Sequence, residues 1–158
     1  MANTQSMTTS FLGEVLTATH NFGTAPTRGT SATDTFKAAL YLVSATINAS
    51  TTVYTVTGEV SGAGYVAGGV TVTNANAVTA TNSSSTAGVA YWTPSASITY
   101  TAVTLATAFD TVLLYNSTQG NTAVSVHTFG SQTITAGTFT LTMPSNTTSA
   151  ALIRLATT

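Results

Sequence analysis

This chain has almost no charge. Of its 158 residues three are Lys or Arg and four are Asp or Glu, 4% in all, where an ordinary domain carries about 25%. The scarcity excludes nucleic acid as a partner, because three scattered cations cannot neutralise a phosphate backbone. Cysteine is absent, which excludes a disulfide framework and any thiolate zinc site. No apolar run reaches the length of a membrane-spanning helix, so no membrane partner is expected. The opening MANTQSMTTS lacks the basic start and apolar run of a secretory signal. Chemistry-bearing residues are equally few: Glu14, Asp34, Glu59, Asp110, His20 and His127. They lie far apart, without the i, i+4 spacing of helical zinc ligands, and no Gly-x-Ser-x-Gly elbow presents a serine. A Ser-His-Asp set from His127, Asp34 or Asp110 and one of many serines is the one triad the composition permits. No catalytic, cofactor-binding or metal-ligating residue is assigned, and no cofactor or small-molecule substrate is expected.

Threonine takes the place of charge, 38 of 158 residues. It is β-branched and suits a pleated, half-exposed surface, so the polar faces are hydroxyl faces. With 43% hydrophobic residues the chain has material for a core. One helix is expected, within Thr8–His20, where Phe11, Leu12, Val15 and Leu16 share a face and His20 closes the C-terminal end. Asn21–Thr33 reads as a loop. Beyond it short strands follow at intervals of 8–12 residues: Asp34–Val43, the runs flanking a glycine-rich corner in Val53–Thr73, one weak strand within Asn74–Gly88, Val89–Thr93, Ile98–Leu105, Thr111–Asn116, Thr122–Phe129, Thr138–Met143 and Ala150–Ala156. The alternation of Ile98–Leu105 slips phase at Ala102-Val103, the mark of a bulge. Val124 and Val126 are expected on one face, against Ala123, Ser125 and His127. The pattern predicts an all-β, jelly-roll-like antiparallel sandwich of about eight to ten strands in a single domain, residues 1–158. Residues 1–33 would form a helix-and-loop arm and 34–158 the sandwich.

The corner Gly58-Glu59-Val60-Ser61-Gly62-Ala63-Gly64-Tyr65-Val66-Ala67-Gly68-Gly69 holds five of the twelve glycines. It is not a phosphate loop: Gly62-x-Gly64-x-x-x-Gly68 is one residue too long for the dinucleotide fingerprint, and a strand pattern follows instead of a helix. It reads as a β-corner between two strands, with positive φ expected among Gly62, Gly64, Gly68 and Gly69. Glu59 inside it is expected to pair with Lys37 or Arg154, or to accept backbone N–H groups. Tyr91-Trp92 with Tyr100 form a candidate sugar-binding shelf, although core packing is the stronger expectation for the single Trp92.

Soluble monomers guard strand edges with Lys or Pro, and this chain has little of either. Closure into a symmetric oligomer, or docking onto a larger assembly, would cover such edges. At this point a resemblance bears on the reading. Asp34-Thr35-Phe36-Lys37-Ala38-Ala39-Leu40-Tyr41 and the corner Gly58–Val70 are followed by Trp92-Thr93, Val112-Leu113-Leu114-Tyr115-Asn116, His127-Thr128-Phe129-Gly130 and Gly137-Thr138-Phe139-Thr140-Leu141. Together they resemble a family of small tailed-bacteriophage virion structural proteins, from Phe11 nearly to the end. The resemblance implies a head decoration, or cement, protein. Such a protein would be made in the host cytoplasm, carried on the outer surface of the capsid as a homotrimer, and docked across neighbouring copies of the major capsid protein. Many relatives are more acidic over Asn74–Thr93, so no charged contact carries over. The N-terminal helix and the loops at one end of the sandwich would be the docking surfaces. The alternative is a tail or head-fibre module that binds a receptor or glycan; a hydrolase is the weakest reading.

Overall fold

One long hairpin forms the axis of the molecule. The structure, a computed structural model, describes residues 3–16, 18–22, 33–74, 78–81 and 88–156. In chain order the elements are β1 (Ser6–Met7), α1 (Thr9–Leu16), β2 (Phe36–Leu42), β3 (Val70–Thr71), β4 (Thr79–Thr81), β5 (Val89–Trp92), β6 (Ile98–Asn116), β7 (Thr122–Leu141) and β8 (Ile153–Ala156). They build two antiparallel sheets, β1-β7-β6-β2-β3 and β4-β5-β8. The all-β sandwich predicted from the strand spacing is the observed class, with one short helix.

The hairpin departs from the sequence pattern. Ile98–Leu105 and Thr111–Asn116 are not two strands but one, β6, and Thr122–Phe129 and Thr138–Met143 merge into β7. Gly130 lies inside β7 instead of ending it. Register shifts recur along the pair, between Tyr100 and Val103, Val103 and Leu105, Leu105 and Phe109, Phe109 and Thr111, and Leu114 and Tyr115. Each shift is a bulge that resets the phase of side chains while the backbone ladder continues. Ala102 (φ 52) and Ala136 (φ 45) sit in the left-handed region within it, and the phase slip at Ala102-Val103 is one of these bulges. The shift beside Leu114 corrects another expectation. It places Ala123 opposite Tyr115 and Ser125 opposite Leu114, so Val124 and Val126 fall into different cores, on opposite faces.

The central sheet is buried on both sides, which is why β2 reads as a near-continuous apolar run. Phe36, Ala38 and Leu40 face a large core with Val112, Leu114, Phe109 and Val124, closed over by Trp92 of β5, Ile153 of β8 and Phe11 of α1. Ala39 and Tyr41 face a smaller core with Leu113, Tyr115, Ala123 and Val126. Among the described residues no second sheet covers that side; Ala45, Ile47 and Tyr54 from the connection after β2 do. Helix α1 is too short to hold itself. Phe11 is fully buried against the large core, worth about 1.5–3 kcal/mol, and Val15 packs beside it. Leu12, assigned to the same face, is instead 47% exposed; the side chain of Leu16 lies outside the described residues. Most of the loop Asn21–Thr33 and parts of Asn74–Gly88 also lie outside them.

The glycine segment is not a corner between two strands. Val53 makes a single bridge to Thr122, and Val56 is 68% exposed. Both flanks of the segment lie along the same edge of β2. Leu42 N–H donates to Gly58 O and Val60 N–H to Leu40 O, while further on Val70 pairs with Ala38 and Val72 N–H donates to Phe36 O. Residues 61–69 are an excursion thrown out between these flanks, reaching Thr104 of β6, whose N–H donates to Ala63 O. Of the four glycines expected to include positive φ, Gly64, Gly68 and Gly69 have it. Gly62 is required for a different reason: a Cβ there would come within 2.0 Å of the Thr104 carbonyl oxygen. At Gly69 a Cβ would meet Ala38 O at 1.7 Å.

A graded series tests this geometry in urea unfolding. Gly69→Ala, strained and blocked by backbone, should destabilise by more than about 3 kcal/mol. Gly120→Ala, at φ 64 in open space, should cost about 1 kcal/mol, and Gly130→Ala, unstrained and open, should fall within about 0.5 kcal/mol of wild type.

Candidate functional site

The polar side chains gather into three constellations. The first sits at the base of the glycine excursion. Glu59 Oε1 accepts from Tyr65 Oη (2.7 Å) and from the Gly68 N–H (2.7 Å), and Oε2 accepts from Tyr54 Oη (2.6 Å). Of the sequence alternatives for Glu59, acceptance of a backbone N–H is the one realised. None of these three donors is a cation; Arg154 stands on β8 opposite Tyr91, in the other sheet.

Tyrosine hydroxyls extend this network, and one of them fills a gap in the strand ladder. The excursion takes the backbone away from the edge of β2, and the Leu40 N–H donates instead to Tyr65 Oη (3.0 Å). Tyr100 Oη donates to Ala38 O (2.8 Å), Tyr115 Oη to Gly68 O (2.8 Å) and Tyr41 Oη to Thr55 O (2.6 Å). A buried backbone group without a partner would cost about 1–3 kcal/mol; the Tyr65 hydroxyl replaces a missing strand neighbour at Leu40, and the others bind carbonyls of β2, the following connection and the excursion. Burial first, and the Glu59 carboxylate second, push the hydroxyls of Tyr54, Tyr65 and Tyr100 above their ordinary value. Burial does the same at Tyr41. These hydroxyls therefore stay protonated as donors.

The second constellation ties the N-terminal arm to the hairpin turn. His20 does not end the helix, which stops at Leu16. Its side chain is buried, with Nε2 2.6 Å from Glu14 Oε2 and Nδ1 3.0 Å from Asn116 Nδ2. Asn116 Nδ2 also donates to Asp34 Oδ2 (2.8 Å), and its Oδ1 accepts the N–H groups of Thr118 and Gln119. Asp34 accepts further from the Asn21 N–H and Gln119 Nε2. The amide of Asn116 is thus held in one orientation by its oxygen, and its nitrogen requires an acceptor at His20 Nδ1. That fixes the imidazole as the Nε2–H tautomer donating to Glu14.

The third is the pair Ser125 Oγ and His127 Nε2, 2.9 Å apart. This is the geometry of a nucleophile and its base without the rest of a triad. Asp34 belongs to the Asn116 cluster, and Asp110 accepts from Asn3 Nδ2 and Thr111 Oγ1. Ser125 is 2% exposed, which leaves no approach for a substrate carbonyl. Burial pushes the His127 imidazole down to about 4, so the ring is neutral at physiological pH.

The sugar shelf is not formed. Trp92 and Tyr100 are each 2% exposed, and Trp92 packs with Phe22 and Phe36 in the large core. A shallow groove of about 290 Å³ lies beside the excursion, lined by Tyr65, Val66, Val70, Thr99 and Thr101 among others. The hydroxyls of Tyr65 and Tyr100 are engaged in the hydrogen bonds above. Among the described residues no three His, Cys, Asp or Glu side chains gather as a metal site needs, and no helix is long and apolar enough to cross a membrane. No family model, curated protein or solved structure matches the chain. Sequence reasoning marked Glu59, His20 and His127 as candidates but missed Asn116 and the tyrosine hydroxyls. Some of their partners are distant in sequence, as Asp34 is from Asn116 and Ala38 from Tyr100, and the local pairs of Tyr54 and Tyr65 with Glu59 carry no periodic signal.

Two measurements follow. Glu59→Gln should lower unfolding stability by about 2 kcal/mol at pH 7, because three hydrogen bonds lose their ionised acceptor; equal stability of the two proteins from pH 4 to 7 would contradict the assignment. For His127 the folded value lies below the unfolded one, so the unfolded chain binds the proton more readily. Stability is complete above about pH 6.5 and is lost as pH falls toward about 4. Relative to His127→Gln, wild type should lose about 1–2 kcal/mol over that window, the ring being partly exposed.

Proposed function

We propose that this chain is a non-enzymatic structural protein of a bacteriophage virion, a decoration protein that docks on the outer face of the capsid and braces neighbouring capsomers. One observation carries the reading. Residues of the family-like motif hold the excursion against β2: Leu40, Glu59, Tyr65 and Gly68 through hydrogen bonds, and Gly69 through its close approach to Ala38 O. That use of the motif supports reading it as architecture. The enclosure of Ser125 and the engagement of Asp34 and Asp110 elsewhere support the same conclusion. The receptor- or glycan-binding alternative loses its aromatic shelf to the core.

Docking of this kind works by many weak contacts, each raised in effect by the others. With so few charges the contact is apolar and hydroxyl-rich, and screening has little to act on.

Quantitative mass spectrometry of purified particles tests the proposal. The chain should approach the major capsid protein in abundance and remain on heads when salt rises from about 0.05 to about 0.5 M. Recovery on separated tails alone, or release across that salt range, would overturn it.

A further inference from the structure

The outer edge of β7 is unfinished. β1 pairs with β7 only at Ser6↔Val126 and Met7↔Ser125, Val53 bridges Thr122, and among the described residues nothing pairs with β7 after Val126 on that side. Bulges interrupt most of this edge, but the last stretch is regular: Ile98, Thr99 and Tyr100 pair in step with Leu141, Thr140 and Phe139. Two observations give its orientation. The Met143 N–H points toward the β6 side, at Ser97 Oγ (3.4 Å), and the hydroxyls of Thr99 and Thr140 approach to 3.4 Å, as side chains do across a non-hydrogen-bonded pair. The backbone groups of Thr138, Thr140 and Thr142 therefore point outward, away from β6. The same three side chains are exposed, whereas Phe139, Leu141 and Met143 on the other face are half-buried against the large core. The core is thus open along the strand whose backbone is also open.

We propose that this edge pairs with the same edge of a second copy, antiparallel about a two-fold axis at Thr140. The occupant follows from the sequence of the edge. In that register Thr140 faces its own copy and Thr138 faces Thr142, each a hydrogen-bonded pair, so the outward N–H and C=O groups of all three residues are satisfied in both chains. The threonine faces become continuous, and threonine pairs across strands are favourable. On the other face Phe139 meets Leu141, and Gly137 leaves room for Met143. Both half-exposed apolar strips are covered at once. Between Asp110 and Arg154 the chain holds no Asp, Glu, Lys or Arg, so two copies of this edge meet without like-charge repulsion, and a charged partner strand would find no counter-charge. Pro144, which has no N–H, ends the ladder. The contact is two-fold, distinct from the three-fold association implied by the family resemblance, and it does not rest on the virion reading.

Sedimentation equilibrium of the full chain from about 1 to about 100 μM tests it. A species of twice the 16.0 kDa chain mass is expected. Thr140→Lys sets two cations face to face and should weaken the dimer at least about tenfold. Thr140→Glu should do the same, and an equimolar mixture of the two variants should recover the dimer as a heterodimer. Val56→Lys, equal in charge and remote, should leave it unchanged. Thermal melts of the variants check that each remains folded. A wild type monomeric at the highest concentration overturns the proposal. So does an oligomer that Thr140→Lys leaves intact, a Lys–Glu mixture that stays monomeric, or an edge needed only for binding to capsids.

Discussion

A single carboxylate holds the fold's most irregular segment in place. Glu59 gathers two phenols and a backbone N–H within hydrogen-bonding distance and so closes the base of the excursion from residue 61 to 69. With the base closed, Tyr65 reaches the Leu40 N–H and the flanks of the excursion lie against β2. Charge-assisted hydrogen bonds are stronger than neutral ones. In a chain with four acids, one of them is committed to a turn that no regular secondary structure would hold. The glycines make the path sterically open; the carboxylate selects it from the many other paths that glycine permits.

Where charge is missing elsewhere, backbone geometry substitutes for it. β-proteins commonly protect strand edges with lysine or proline. Here the β6–β7 hairpin is bulged at five places, and each bulge twists the edge and breaks the ladder a neighbouring molecule would read. The protection lapses only beyond Gly137, where register is regular again. Tyrosine works inside: the Tyr65 hydroxyl stands in for a strand partner of Leu40, and tyrosine rings fill both cores.

The sequence was legible wherever one physical rule acted alone. β2 showed as a continuous apolar run because both its faces are buried. The bulge at Ala102 was visible as a phase slip, and Glu59 stood out as a lone acid among glycines. Legibility failed where two rules opposed each other. Bulges reset the two-residue period, so β6 and β7 each looked like two strands with a gap. Val53 and Val56 alternate like a strand but are exposed and mostly unpaired, since the edge of β2 is taken up by residues 58–60 and 70–72. His20 was read by its distance from the helix, whereas its place is set by Asn116, on the far side of the chain.

The N-terminal arm has a consequence for the order in which the chain matures. Its anchor, the Thr8 hydroxyl, donates to Ala123 O, 115 residues further on, and Ser6 and Met7 pair with Val126 and Ser125. Asn3, Thr4 and Thr9 bond to Leu42, Ile47 and Ala49, whereas the partners of Ser6, Met7 and Thr8 exist only once the hairpin has been made. Closing so long a loop is entropically slow. The arm is thus held at two places, and its pairing with β7 is complete only when the hairpin has formed.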